Sequence, residues 1–285
     1  MTIKDTVRKY SQKLKFVTHI PAKEVEIFIG YLLNKNNIWL HLNNNNEFTE
    51  EKELEKLVNK RATNYPLEYL IGKASFYGES FLVEEGVLIP RPETEFLVDN
   101  AIEILKNKEN PVKVLEIGTG SGIISVMLAV LIKDIKIIAV DINEKALELA
   151  KKNAIKHKVE DKIEFRLSNL YENVHIDKED KDIFMTISNP PYIKDSYNLP
   201  LNVKYEPSNA LFGGVIGDEL LKNIIEETAN TKIEYLLCEM GYDQKSPLEK
   251  YFKAFDIKEY SFYKDYEKFD RGFTVRFNIE NKNKI

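Results

Sequence analysis

Two stretches of this sequence carry residue types that could do chemistry. Ser188-Asn189-Pro190-Pro191-Tyr192 follows the apolar run 183–187, so it sits where a strand ends. Neither proline has a backbone N–H, so neither can continue a ladder as a donor, and Asn189 is pushed to an extended conformation by the proline after it. The product is a rigid turn that offers carbonyls and an Asn side chain. An –NH2 group needs acceptors for its two hydrogens, and this segment supplies them. Tyr192 adds an aromatic face that can pack on a planar group or lie near a cation. Taken alone, the tetrapeptide is equally compatible with an ordinary strand-ending turn, where Asn and Pro are common.

The second stretch is Glu116-Ile117-Gly118-Thr119-Gly120-Ser121-Gly122, with Asp141 19 residues after Gly122. Glycines at alternate positions permit tight turning and close approach of a ligand to the backbone. A carboxylate at the end of the next strand can accept both hydroxyls of a ribose. A lone Gly-rich loop is often only a turn; here strand, loop, helix, strand and acid occur in register, which points to nucleoside binding. A dinucleotide site wants G-x-G-x-x-G with a pyrophosphate at the helix N-terminus. The spacing here differs, and Glu116 would repel a pyrophosphate while welcoming an ammonium group. That favours S-adenosylmethionine, which has ribose hydroxyls and an ammonium but no phosphate.

These residues need elements to hold them. The 285 residues are 43% hydrophobic, enough for a substantial core in one large or two smaller domains. From residue 112 the pattern alternates: strands at 112–117, 135–140, 162–167, 183–188 and 233–240, with helices at 121–132, 143–157 and 218–228 between them. Such alternation predicts a doubly wound, mainly parallel sheet in an α/β fold. Segments 257–262 and 272–279 alternate like a hairpin and add antiparallel strands at one edge, and 281–285 reads as a frayed tail.

The front of the chain reads differently. Thr2 caps a helix carrying Val7, Tyr10 and Leu14, and Pro21 opens a second with Val25, Phe28, Ile29 and Leu32 inside. Ile38-Trp39-Leu40 is a short helical piece, and Thr49 is expected to cap a helix with Glu50 and Glu51 in its first turn. Two short runs, 74–77 and 81–83, flank Gly78-Glu79-Ser80 and read as a hairpin. Leu88-Ile89-Pro90-Arg91-Pro92-Glu93-Thr94-Glu95 then leads into a helix ending near Leu105; on its own it reads as a rigid linker and helix start.

Composition narrows the function classes. The net charge is −5 and no dense Lys/Arg cluster occurs, which argues against a duplex-DNA or membrane-surface partner. The longest apolar run, 123–132, is too short to span a bilayer and is broken by Ser125. The one cysteine, Cys238, lies in an apolar strand, and His19, His41, His157 and His175 form no ligand spacing, so neither a disulfide framework nor a metal site is expected. Without disulfides or a targeting signal, the expected compartment is the cytoplasm.

Four blocks of the chain together resemble the release-factor glutamine methyltransferases (the HemK/PrmC family), a branch of the class I S-adenosylmethionine-dependent methyltransferases. They are Pro66-Leu67-Glu68-Tyr69-Leu70-Ile71-Gly72, the segment Leu88 through Glu95, Ser188 through Ile193, and Glu206-Pro207-Ser208-Asn209-Ala210-Leu211. The loop Glu116 through Gly122, with Asp141, resembles the cofactor motif of the wider class. The resemblance implies a Rossmann-like methyltransferase domain over 87–285, a hairpin linker over 66–86 and a helical substrate-docking domain over 1–65. It implies methyl transfer to the side-chain amide nitrogen of the Gln in the Gly-Gly-Gln loop of class I peptide chain release factors. Glu116, Gly118, Thr119, Gly120, Ser121, Gly122 and Asp141 would then hold the cofactor, while Asn189, Pro190, Pro191 and Tyr192 would hold the glutamine, with Asn189 also beside the cofactor. After the third strand the family often shows an acid followed by a tryptophan. Here Asn169 and Leu170 stand there, able to bond the adenine amino group and pack on its ring. Two competing readings are a nucleic-acid methyltransferase acting on an exocyclic base amine and a non-catalytic adaptor for cofactor or release factor. The missing basic stripe speaks against the first, and the intact Asn-Pro-Pro-Tyr against the second.

Overall fold

The computed structural model describes residues 1–106, 108, 111–176, 180 and 182–279; the expected tail at 281–285 lies outside them. The chain divides into two compact units, Met1–Lys73 with Leu199–Tyr205, and Ala74–Asn198 with Glu206–Ile285.

The first unit is helical: α1 (Ile3–Leu14), α2 (Pro21–Leu33), α3 (Asn37–Leu42), α4 (Glu51–Arg61) and α5 (Leu67–Ile71). Thr2 Oγ1 accepts the Asp5 N–H at 3.1 Å and caps α1, while Pro21 opens α2 with the φ a first turn requires. Tyr10 and Leu14 of α1 pack with Val25, Phe28 and Ile29 of α2 and Leu54 and Val58 of α4. A buried ion pair joins α2 to α4, with Arg61 donating to Glu24 at 2.7 and 3.0 Å. The expected Thr49 cap does not form. Glu50 is the N-cap residue of α4, and the Thr49 hydroxyl donates instead to its carboxylate at 3.4 Å. The segment 199–205 joins this unit through Tyr205, whose ring meets Tyr65 edge-on at 5.0 Å and whose hydroxyl donates to the Thr63 carbonyl at 3.2 Å.

The second unit opens at Ala74, within the first strand of a hairpin, β1 (Lys73–Phe76) and β2 (Glu79–Leu82). Its turn is Tyr77-Gly78, with φ of +57° and +74°, not the expected Gly78-Glu79-Ser80. Two left-handed residues match the twist of the flanking strands, and that preference draws Tyr77 into the turn. Then follow α6 (Thr94–Leu105), β3 (Val112–Ile117), α7 (Ile123–Leu131), β4 (Ile135–Asp141), α8 (Glu144–Lys156), β5 (Ile163–Leu167), β6 (Ile183–Ser188), β7 (Ile193–Lys194), β8 (Phe212–Gly214), α9 (Glu219–Ala229), β9 (Tyr235–Glu239), α10 (Lys245–Phe252), β10 (Ile257–Lys264) and β11 (Asp270–Phe277).

Seven strands form one sheet in the order β10-β11-β9-β6-β3-β4-β5. The five from β9 to β5 run parallel, and β11 and β10 pair antiparallel at one edge. This is the doubly wound sheet with antiparallel C-terminal strands that the alternation predicts. Period-two alternation sends Val114 of β3 and Ile137 of β4 to the face covered by Leu97 of α6 and Leu128 of α7. Leu115 and Ile138 face the other way, onto Leu221 and Ile225 of α9. Helix α10 carries no expectation from the sequence. Pro247 stands in its first turn, where a proline is tolerated, and Leu248 and Phe252, one turn apart, are buried.

The chain leaves β3 toward β4 on one side and β6 lies on the other. At such a reversal the loops diverge and open a crevice at the carboxyl ends of the strands. Both stretches singled out by their chemistry end there.

Candidate active site

The loop after β3 turns on three left-handed glycines, Gly118 (φ +72°), Gly120 (φ +55°) and Gly122 (φ +81°). A Cβ on Gly120 would meet nothing within 4 Å, so the backbone borders open space. A Cβ on Gly122 would stand 2.9 Å from the Ala150 Cβ, so that glycine lets α7 approach α8. It also serves as the N-cap of α7, which is why that helix begins at Ile123, two residues later than the alternation predicts.

Asp141 closes β4 and ties the two loops together. Its carboxylate accepts the Gly120 N–H at 2.8 Å and the Asn143 N–H at 2.9 Å. Burial raises its pKa, and these N–H groups pull it back. Two bonds leave a carboxylate with lone pairs to spare for a further donor. Glu116, by contrast, is 1% exposed. Its Oε2 accepts the Thr119 hydroxyl at 2.7 Å, and its Oε1 is buried without a partner. Burial pushes its pKa up to about 7. A buried carboxyl oxygen left without a partner is rare in a folded protein.

The loop after β5 is organised by Ser168, which no motif in the sequence marks. Ser168 N–H donates to the Asp141 carbonyl at 3.0 Å, and its hydroxyl donates to the Leu170 carbonyl at 3.0 Å. Leu170 is thereby held at φ +48°. Leu170 and Asn169 line the cleft, with Ile142 and Ala146 opposite as further apolar surface. Asn169 uses its NH2 on Glu172 at 2.9 Å.

The turn after β6 is pinned from beneath, where the Ser188 hydroxyl donates to the Ile117 carbonyl at 2.8 Å. Asn189 donates through Nδ2 to the Thr94 hydroxyl at 3.0 Å. Among the described residues nothing donates to Asn189 Oδ1 or to the Pro190 carbonyl, so both acceptors remain available. Tyr192 turns away from the cleft, its hydroxyl donating to Glu239 Oε1 at 2.8 Å. Burial and the neighbouring carboxylate raise its pKa, so it stays a neutral donor.

One cleft therefore gathers Gly118, Gly120, Asp141, Asn169, Leu170, Asn189, Pro190 and Pro191. Thr119 and Ser121 line an adjoining depression that Asn189 and Thr94 share. Glu116 lies buried below the loop, Gly122 faces α8, and Tyr192 faces β9. The two proline-bearing motifs supply the remaining wall: Leu88 and Pro207 line the cleft, and Glu206 clips them together. It accepts the Ile89 N–H at 3.0 Å and the Arg91 guanidinium at 2.5 Å. No motif or spacing in the sequence assigns a role to Thr94 or Glu239. The available signal for Glu239 was a lone acid inside the apolar run 236–240. Among the described residues no group of three or more His, Cys, Asp or Glu could hold a metal, and no helix is long and apolar enough to cross a membrane.

Comparison with known proteins shows the family. Residues 94–203 match the methyltransferase small domain, and residues 5–72 match the PrmC N-terminal domain. The chain is 43% identical over 205 residues to the release factor glutamine methyltransferase of Dictyoglomus turgidum, covering 70% of this chain and 71% of that one. It is 33% identical to the enzyme of the same name from Buchnera aphidicola, over 95% of this chain and 98% of that one. Among solved structures, the N-terminal domain of human METTL16 in complex with SAH shares the fold, with a TM-score of 0.53 at 16% identity, covering 71% of this chain and 77% of that one. A glycine loop, a strand-end acid and an Asn-Pro-Pro-Tyr turn meeting at one switch point, with relatives this similar along nearly the whole chain, place it in the release factor glutamine methyltransferase family.

Proposed function

We propose that this protein transfers a methyl group from S-adenosylmethionine to the side-chain amide nitrogen, N5, of the Gln in the Gly-Gly-Gln motif of class I peptide chain release factors, in the cytoplasm where translation ends. The observation that carries the reading is the pair of free acceptors, Asn189 Oδ1 and the Pro190 carbonyl, at the mouth of a cleft shared with Gly118, Gly120 and Asp141. The residues present fit the cofactor. Asp141 has lone pairs for ribose hydroxyls, Gly118, Gly120 and Ser121 give close backbone approach, and Leu170 and Asn169 offer an adenine ring an apolar face and a polar edge. The orphaned Glu116 Oε1, with Thr119 bracing its other oxygen, suits the ammonium of the methionine moiety. When bound, S-adenosylmethionine supplies an electrophilic methyl carbon.

The chain's own residues handle the nucleophile. An amide nitrogen is weak because its lone pair is delocalised into the carbonyl. No base need act first, since attachment of a methyl group makes the nitrogen far more acidic and its surplus proton is then lost to water. Asn189 and Pro190 accept its two N–H bonds and fix its direction. Their oxygens also face the positive charge that grows on nitrogen as the new bond forms. Alignment of this kind can lower a barrier by about 7–11 kcal/mol. Pro191 stiffens the turn, and Tyr192 anchors it from the far side. The helical unit serves as the docking module for the release factor.

The test is transfer of a radiolabelled methyl group from the cofactor to purified release factor, run beside RNA and DNA. Label on the release factor is the expected result. Label on nucleic acid alone would favour a base-amine methyltransferase, and no label on any acceptor an adaptor.

A further inference from the structure

An Asn side chain has two ends of nearly equal size, one donating and one accepting. If Asn189 were flipped, its NH2 would face the NH2 of the substrate, donor against donor. Something must choose between the two orientations, and the turn itself contains nothing that does.

We propose that Thr94 and Glu239 form a relay that sets the amide of Asn189 with its oxygen toward the substrate. The inference deepens the reading of Asn189 as the substrate-amide acceptor and rests on it. Thr94 Oγ1 lies 2.7 Å from Glu239 Oε2 and 3.0 Å from Asn189 Nδ2. A hydroxyl has one proton and can give it to one partner. A carboxylate can only accept, and a hydrogen bond to a charged acceptor is about twice as strong as one to a neutral amide oxygen. Burial raises the pKa of Glu239, while the Thr94 and Tyr192 hydroxyls and the nearby Arg271 guanidinium hold it back. Each of its oxygens faces a hydroxyl, so Glu239 takes the Thr94 proton as an acceptor. That leaves Thr94 with only lone pairs toward Asn189, so Nδ2 must point at Thr94 and Oδ1 into the cleft. Thr94 is 0% and Glu239 1% exposed, so water does not compete for either bond. The other carboxylate oxygen takes the Tyr192 hydroxyl at 2.8 Å, so one side chain on β9 fixes the first and last residues of Asn-Pro-Pro-Tyr. Thr94 and Glu239 are positioning residues: they act on the substrate only through Asn189.

The test is a double-mutant cycle between Thr94→Val and Asn189→Asp, read as kcat and KM on a Gly-Gly-Gln substrate. Valine keeps the shape of threonine without its hydroxyl. In the Asn189 background, Thr94→Val should lower kcat about tenfold to a hundredfold, the range seen when outer partners that orient a functional ligand are removed. Cofactor affinity should change little, and Thr94→Ser should restore most of the rate. In the Asn189→Asp background, both carboxylate oxygens accept, orientation no longer matters, and Thr94→Val should cost less than about threefold. An equal loss in both backgrounds, or no loss in either, overturns the relay. Should Thr94→Val fail to fold, Glu239→Gln takes its place in the same cycle, since a Gln can donate to Thr94 and release the flip. A readout without substrate separates this idea from the function it rests on. The Asn189 side-chain NH2 should show slow hydrogen exchange by NMR in the wild type and fast exchange in Thr94→Val. Unchanged exchange refutes the relay even in an active enzyme. Changed exchange in a protein that does not methylate release factor would support the relay and remove the function.

Discussion

The loop after β3 and the turn after β6 lie at the ends of neighbouring strands and are built on opposite principles. The β3 loop makes its site from main chain. Gly118 and Gly120 carry no side chain into the cleft, and the one carboxylate on its rim, Asp141, already holds a backbone N–H of the loop. The β6 turn joins one main-chain acceptor, the Pro190 carbonyl, to a side chain set by a network that runs from Asn189 to Thr94 to Glu239 and back to Tyr192. A backbone cradle can be shaped by sequence neighbours alone. A polar side-chain network needs partners from distant elements, and here those elements are α6 and β9. On this account the first loop sets affinity for the cofactor and the second sets the rate.

The comparison breaks most easily at Asn189. Asn189→Ala should lower turnover about 10²–10³-fold, the usual cost of losing one positioned group aimed at developing charge. Cofactor affinity should move far less, and calorimetry beside steady-state kinetics distinguishes the two. Asn189→Asp should fall between Ala and wild type, because it keeps an acceptor but adds a charge that lowers the electrophilicity of the neighbouring sulfonium.

Asp141→Ala should give the converse pattern. Losing charge-assisted acceptors for the ribose costs about 1.5–3 kcal/mol. Calorimetry should show cofactor affinity weakened about ten- to a hundredfold, with kcat at saturation much less affected. Unchanged affinity would remove Asp141 from the site.

Glu116 predicts a pH dependence of similar size per unit. Its pKa is raised to about 7 by burial. An ammonium group binds the charged form and would lower that pKa, so binding below pH 7 must release a proton. Affinity should be full above about pH 7 and fall by up to about tenfold for each unit below it. Titrations in buffers of different ionisation enthalpy measure the proton released, and Glu116→Gln should flatten the profile. A flat wild-type profile would take the ammonium away from Glu116.

The glycines give the smallest and sharpest contrast. Gly120→Ala meets open space, so thermal unfolding should register only the left-handed strain, about 1–2 kcal/mol, while cofactor affinity drops. Gly122→Ala adds a clash with Ala150 and should destabilise the fold by more, without entering the cleft.

The same contrast explains what the sequence made legible. The parallel strands, the Gly loop and Asp141 are local in the chain, and each element's period or spacing announces it. Thr94 sat in plain view inside Arg91-Pro92-Glu93-Thr94-Glu95, yet its role depends on Asn189, 95 residues away, and on Glu239, 145 away. No local pattern encodes such a pairing. Glu239 was a lone acid in an apolar strand, a sign of a partnered buried charge that cannot say who the partner is. Tyr192 reads from sequence as an exposed aromatic face; the carboxylate on β9 turns it inward. Thr49 fails as a cap because the backbone reaches helical geometry one residue later, a shift that propensity does not resolve.

The central claim is that the Asn-Pro-Pro-Tyr turn presents acceptors to a glutamine amide. The most direct measurement is tandem mass spectrometry of the Gly-Gly-Gln peptide from release factor incubated with enzyme and S-adenosylmethionine. The account predicts a mass gain of one CH2 located on the Gln side chain, and its loss when Asn189 is Ala. An unmodified Gln under conditions where the enzyme binds its cofactor, or a methyl group on any other residue of the peptide, would contradict it.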